Sequence, residues 1–157
     1  MSQETIQRAI QKAKEQVMWG CRTMVDKGYA LGTAGNISAR VEGEPLFVIT
    51  PSARPYLTMK PEDLAVGDMD GNVVSGPYKP SIEFSMHLGI YKERPEVNCI
   101  VHTHSKFATA VSAMDGVEKV PVIDIEGVVY LGGEILVAPF APPGLSLIHI
   151  SEPTRHS

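Results

Sequence analysis

Apolar residues recur at Ile6, Ala9, Ile10, Ala13, Val17, Cys21, Met24 and Val25, the spacing of one helical face. The pattern predicts an amphipathic first helix that stops near Gly28, a residue suited to a helix C-terminus. Residues 46–50 (LFVIT) form a short β-rich run between Pro45 and Pro51 and predict a strand. Residues 69–74 carry Asp70-Gly71, a hairpin-turn signal. Ser81 follows Pro80 and precedes Glu83, so a serine N-cap with a carboxylate in the first turn is expected to open a helix that runs to about Glu93. Residues 97–104 (VNCIVHTH) read as a buried strand and residues 106–114 as another helix. Residues 120–125 and 135–138 complete the pattern as further strands. Helices and strands interleave, which places the chain in the α/β or mixed α+β class.

Composition narrows the function classes. The 157 residues suit a single domain, and 43% hydrophobic with 20% charged residues excludes disorder and coiled-coil rods. A net charge of −4 does not favour a nucleic-acid surface. No apolar run approaches the roughly 18 residues that span a bilayer, so no membrane partner is expected. The first residues (MSQETIQRAIQKAKEQ) lack an apolar signal core, and the expected location is cytoplasmic. Two cysteines, Cys21 and Cys99, each inside an apolar segment, read as small buried side chains in a reducing compartment.

Three local features could carry chemistry. In the tripeptide His102-Thr103-His104, strand alternation sends both imidazoles to one face, roughly 7 Å apart at Cα, close enough to share a metal ion. Two histidines satisfied at a strand end are the plainer alternative. Glu83 either complements the helix dipole or serves as a base held near a metal. His87, four residues on, lies on the same helical face and either orients Glu83 or sits in the core. The stretch Gly32-Thr33-Ala34-Gly35-Asn36-Ile37-Ser38 offers backbone N–H groups and small donors that suit an anion such as phosphate, though an ordinary turn also explains it. Residues 50–53 and Pro80-Ser81 add hydroxyl donors, while Arg40 and Arg54 are cations whose default is surface solvation.

Four segments in this order, GTAGNISAR, ITPSARPY, KPSIEFSMHLGIYKERPEVNCIVHTHS and GGEILVAPFAPPG, resemble the class II aldolase/adducin family, nearest to its L-fuculose-phosphate aldolase branch. The likeness covers residues 5–144. It implies a three-layer α/β/α sandwich around a largely antiparallel sheet, and a homotetramer with sites at subunit interfaces. It also implies Zn2+, or another divalent metal, held by His102 and His104. Glu83 would be the catalytic acid/base, able to touch the metal when substrate is absent. Gly35, Asn36, Ser52, Ala53 and Ser81 match positions that bind the substrate phosphate. The implied reaction is cleavage of a phosphorylated ketose into dihydroxyacetone phosphate and an aldehyde. Related branches are L-ribulose-5-phosphate 4-epimerases, which place an aspartate where Glu83 stands, methylthioribulose-phosphate dehydratases, decarboxylases, and adducin-like binding heads without chemistry.

The sequence also departs from the family pattern. Ile82 stands where a second serine is common, Ala53 where glycine is usual, and Ile125 near the position of an interface tyrosine. The family's third zinc histidine lies downstream of the APPG segment, past the end of this chain, which leaves an inert fragment as a further expectation. Residues 145–155 (LSLIHISEPTR) resemble the in-frame translation of a sequencing adapter. Residues 145–157 are therefore set apart as a non-native tail expected to pack poorly, and residues 1–144 as an incomplete domain.

Overall fold

The computed structural model describes residues 2–139. Helix α1 spans Gln3–Asp26, and the Ser2 hydroxyl caps it by accepting from the Thr5 amide at 3.3 Å. Strands β1 (Asn36–Arg40), β2 (Leu46–Ile49), β3 (Ala65–Asp68), β4 (Val73–Ser75) and β5 (Cys99–His102) form one sheet in the order β4-β3-β2-β1-β5. Every neighbouring pair in it is antiparallel. Helix α2 (Phe84–Glu93) enters between β4 and β5. Helix α3 (Lys106–Ser112), β6 (Lys119–Val120), α4 (Ile125–Leu131) and β7 (Ile135–Leu136) follow, with β6 and β7 paired in a ribbon of their own.

Strand alternation divides the sheet into two apolar faces. Ile37, Ala39, Val48 and Val66 join Val17, Cys21 and Met24 of α1 in one cluster. Phe47, Ile49 and Ala65 point the other way and pack with Phe84, Leu88 and Tyr91 of α2. A helix therefore covers each face of a mostly antiparallel sheet, the three-layer arrangement expected. Phe47 meets Phe84 and Tyr91 with ring centroids 4.9 and 5.4 Å apart, tilted contacts worth about 0.5–1.5 kcal/mol each beyond area burial. Gly67 lets Phe84 approach, since a Cβ there would lie 2.5 Å from its ring.

Several local expectations change. The serine cap at Ser81 is replaced by Glu83 at the N-cap position, while the Ser81 hydroxyl accepts from the Glu83 amide at 3.2 Å one turn earlier. Residues 97–104 contain only the four-residue β5, and its Cys99 and Val101 are exposed because α1 does not reach over that edge. Of residues 120–125, only Val120 belongs to a strand. Pro121 removes a ladder donor after Val120, and the Asp124 carboxylate caps α4 by accepting from the Gly127 amide at 2.6 Å. The Asp70-Gly71 turn does join β3 to β4, held by the Asp68 carboxylate, which accepts from the amides of Asp70 and Asn72. Residues 140–157, with the tail set apart above, lie outside the described residues.

Candidate active site

The site lies on the α2 side of the sheet. β1 places Asn36 and Ser38 on that face, and the register Asn36↔His102 sets the end of β5 directly beside Asn36. Two residues beyond β5's end, the His104 amide donates to the Tyr29 carbonyl at 3.1 Å, which anchors the turn. The two rings then face each other, with His102 Nε2 and His104 Nε2 3.1 Å apart and ring centroids at 5.1 Å. The rings come together as expected, but through the turn after β5 rather than strand alternation, because only His102 belongs to the strand.

Glu83 approaches from the start of α2. Its Oε2 accepts from Asn36 Nδ2 at 2.7 Å and lies 3.5 Å from His102 Nδ1. The carboxylate thus faces the ring nitrogen opposite the one turned toward His104. Burial lowers the His102 pKa below the usual histidine value and His104 lowers it further, against an opposing pull from Glu83.

The His87 amide donates to the Glu83 carbonyl at 3.1 Å, but its ring does not bond the Glu83 carboxylate directly. It reaches the carboxylate through Asn36, with Nε2 2.5 Å from Asn36 Oδ1 and Nδ1 2.6 Å from Ser38 Oγ. Ser38 Oγ in turn lies 2.8 Å from the Tyr91 hydroxyl. Ser38, His87 and Tyr91 are almost wholly buried. Burial and the neighbouring His102 push the His87 pKa down to about 4, with Glu83 opposing. Tyr91 escaped the sequence reading. The available signal was its i,i+4 spacing from His87 on α2, facing the i,i+2 pair Asn36 and Ser38 on β1.

The candidate phosphate donors are brought together by backbone pairing. The Thr50 amide donates to the Ile37 carbonyl, and the Ile37 amide to the Thr50 hydroxyl. The Ser81 amide donates to the Thr50 carbonyl, the Ser52 amide donates to the Lys79 carbonyl, and Pro51 bridges Pro80. Segments 35–37, 50–53 and 79–81 therefore lie side by side at the edge of the Glu83 site. Gly35 and Ala53 both hold positive φ, +79° and 54°. The Tyr56 hydroxyl donates to the Gly35 carbonyl.

Neither arginine is a free surface cation. Arg40 is pinned by the carbonyls of Val97 and Tyr91 and lies 4.5 Å over the Tyr91 ring. Arg54 stacks 4.1 Å over Tyr78 and donates to its hydroxyl at 3.0 Å. Around a tetrahedral zinc with Zn–N of about 2.0–2.1 Å, two ligand nitrogens sit roughly 3.3–3.4 Å apart. The 3.1 Å between the His102 and His104 nitrogens is close to that. Two histidines fit part of a divalent-cation site, and among the described residues no three His, Cys, Asp or Glu side chains converge into one.

A helix covers each face of an antiparallel sheet, with paired imidazoles at the end of β5 and the Glu83 carboxylate at the entry to α2. Comparison with known proteins gives the family. The profile of the class II aldolase and adducin N-terminal domain matches residues 15–156, and the chain belongs to that family. It is 38% identical to a 5-deoxy-D-ribulose 1-phosphate aldolase from Bacillus thuringiensis over 105 residues, 67% of this chain and 49% of that protein. It is 44% identical to an L-ribulose-5-phosphate 4-epimerase from Salmonella paratyphi B over 101 residues, 64% of this chain and 44% of that protein. A solved L-fuculose 1-phosphate aldolase superposes with a TM-score of 0.78 at 31% identity, covering 85% of this chain and 62% of that structure. The chain spans about half the length of these curated relatives. Among the described residues no helix is long and apolar enough to cross a membrane.

Proposed function

We propose that the chain carries the acid–base half of a zinc-dependent class II aldolase. The substrate would be a phosphorylated ketose resembling L-fuculose 1-phosphate, and the products dihydroxyacetone phosphate and an aldehyde. The observation that carries the reading is the position of Glu83 Oε2, 2.7 Å from Asn36 Nδ2 and 3.5 Å from His102 Nδ1, beside the His102–His104 pair.

Gly35, Asn36, Ser52, Ala53 and Ser81 would hold the substrate phosphate through backbone N–H groups and small donors. His102 and His104 would hold the divalent cation, with Glu83 reaching it when substrate is absent. Once bound there, the cation would supply Lewis-acid polarisation of the keto oxygen. As the carbon–carbon bond breaks, the hydroxyl on the departing carbon would give up its proton to become the aldehyde carbonyl, and the bond's electron pair would stay on the carbon next to the keto group. Glu83 would deliver the proton that this carbon takes up, and remove it in the reverse direction. No lysine Schiff base is required. The 44% identity to an epimerase supports a second reading, a 4-epimerase of a ketose 5-phosphate, in which the same groups would act on a different sugar phosphate. The family likeness further suggests a cytoplasmic homotetramer, and the exposed Ile125, Val128 and Val129 of α4 are apolar surface that such an assembly could cover.

The test is turnover of L-fuculose 1-phosphate and L-ribulose 5-phosphate by the chain, before and after EDTA and after zinc return. Cleavage that disappears with the metal and returns with it is expected. Epimerisation without cleavage would select the second reading, and cleavage surviving thorough metal removal would refute the scheme. Glu83→Gln should lower turnover by about 10²–10⁴-fold while zinc uptake persists.

A further inference from the structure

Asn36, Ser38, His87 and Tyr91 form a continuous buried polar chain ending at Glu83, and the hydrogens along it can be assigned. An ionised carboxylate has no hydrogen to give, so at 2.7 Å the Asn36 group facing Glu83 is the NH2. The flipped carboxamide would set two bare oxygens against each other. Asn36 Oδ1 therefore faces His87 Nε2 at 2.5 Å, and because it only accepts, Nε2 carries the hydrogen. A neutral ring then leaves the lone pair on Nδ1, which accepts from the Ser38 hydroxyl at 2.6 Å. Ser38 has spent its hydrogen, so its oxygen accepts from the Tyr91 hydroxyl at 2.8 Å. Every group donates once in the same direction, from Tyr91 to Glu83, and one Asn36 N–H stays uncommitted.

We propose that Tyr91, Ser38 and His87 act as positioning residues that lock the Asn36 carboxamide with its NH2 toward Glu83. This rests on the reading of Glu83 as the proton-moving group. The lock has a physical basis in burial. Asn36 is 6% exposed and His87 0%, so little water competes for these hydrogens, and reversing any one link leaves a buried donor or acceptor unmatched. The Glu83 carboxylate is thus fixed by β1 through a side chain that α2 itself orients. The second Asn36 N–H is left for a substrate oxygen, and its direction follows from the same lock.

The inference is tested on the whole chain by nitrogen NMR of His87 and by the side-chain amide resonances of Asn36, together with two variants. A neutral His87 with its hydrogen on Nε2, and distinct, slowly exchanging Asn36 amide protons, are expected in the unmodified protein. Hydrogen on Nδ1 would overturn the proposal without any mutation. His87→Gln keeps a donor where Nε2 stood, whereas His87→Asn reaches only the Nδ1 side. If the chain cleaves the sugar phosphate, Gln should keep kcat within about threefold, while Asn should lower it about tenfold or more with less effect on KM. Equal losses in both variants, with the Asn36 resonances unmoved, would reduce His87 to a packing role and overturn the proposal. Failure of the unmodified chain to cleave any sugar phosphate would count against the functional reading alone, because the His87 and Asn36 resonances decide the hydrogen-bond chain independently.

Discussion

A Cβ placed on Gly35 would lie 2.6 Å from the carbonyl oxygen of His102, so β1 approaches β5 more closely here than any side chain permits. Gly35 also holds φ +79°, where an L-residue is strained. Gly35→Ala is expected to cost at least about 2 kcal/mol of stability, since neither the conformation nor the contact can be kept. The end of β5 must move to relieve the clash, so the His102–His104 nitrogens should separate and zinc affinity should fall. Denaturant unfolding and zinc titration check this, and wild-type values in both would contradict it.

Ala53 presents the opposite case. Its φ of 54° is an unfavourable conformation for alanine, and the residue is exposed, so no packing is lost by trimming it. The strain relieved by glycine, about 1–2 kcal/mol, is partly offset by the greater freedom of the unfolded chain. Ala53→Gly should therefore raise stability by about 0.5–1 kcal/mol. A lower thermal midpoint would show that the 50–53 loop is held by something other than its local backbone.

His87 makes the fold sensitive to acid. Its pKa falls from the ordinary 6.5 to about 4 because the ring is buried, with His102 adding to the effect and Glu83 opposing it. Between those two values the unfolded chain binds a proton at this residue and the folded chain does not. Its contribution is intact above about pH 6.5 and is lost as pH falls toward 4. The full loss is roughly 3 kcal/mol. Urea unfolding of wild type and His87→Gln across this range isolates the contribution, since glutamine does not titrate. Parallel stability curves would remove His87 as the source.

The two cysteines should differ sharply in reactivity. Burial on the inner face of α1, where it packs against the sheet, pushes the Cys21 thiol up to about 12, whereas Cys99 is exposed on the outer edge of β5. A mild alkylating reagent should label Cys99 in the native chain and reach Cys21 only on unfolding. Peptide mass mapping reads this directly, and labelling of Cys21 at the native rate would mean that α1 opens far more often than its packing suggests.

The strongly periodic parts of the chain were legible without coordinates. The stripe from Ile6 to Val25 lies in α1, the first four residues of LFVIT are β2, and Asp70-Gly71 is the turn between β3 and β4. These elements follow from local spacing, because a helical face or an alternating strand has to bury its apolar side whatever it meets. The same local rule failed at residues 120–125. There one proline and one capping aspartate outweighed a β-branched run, and a helix begins where a strand was expected.

The sequence by itself determined which residues to examine for chemistry: two histidines two positions apart, an acid at the entry to a helix, and a family pattern running through both. Only the tertiary structure decided how they connect. The Glu83 carboxylate bonds Asn36, 47 residues away, rather than the His87 ring on its own helix, and Ser38 and Tyr91 extend the chain into the core. Spacing along a helix or strand reports which side chains share a face. Which groups then exchange hydrogens depends on strand register and on the exclusion of water, and both arise only when β1, β5 and α2 close over one another.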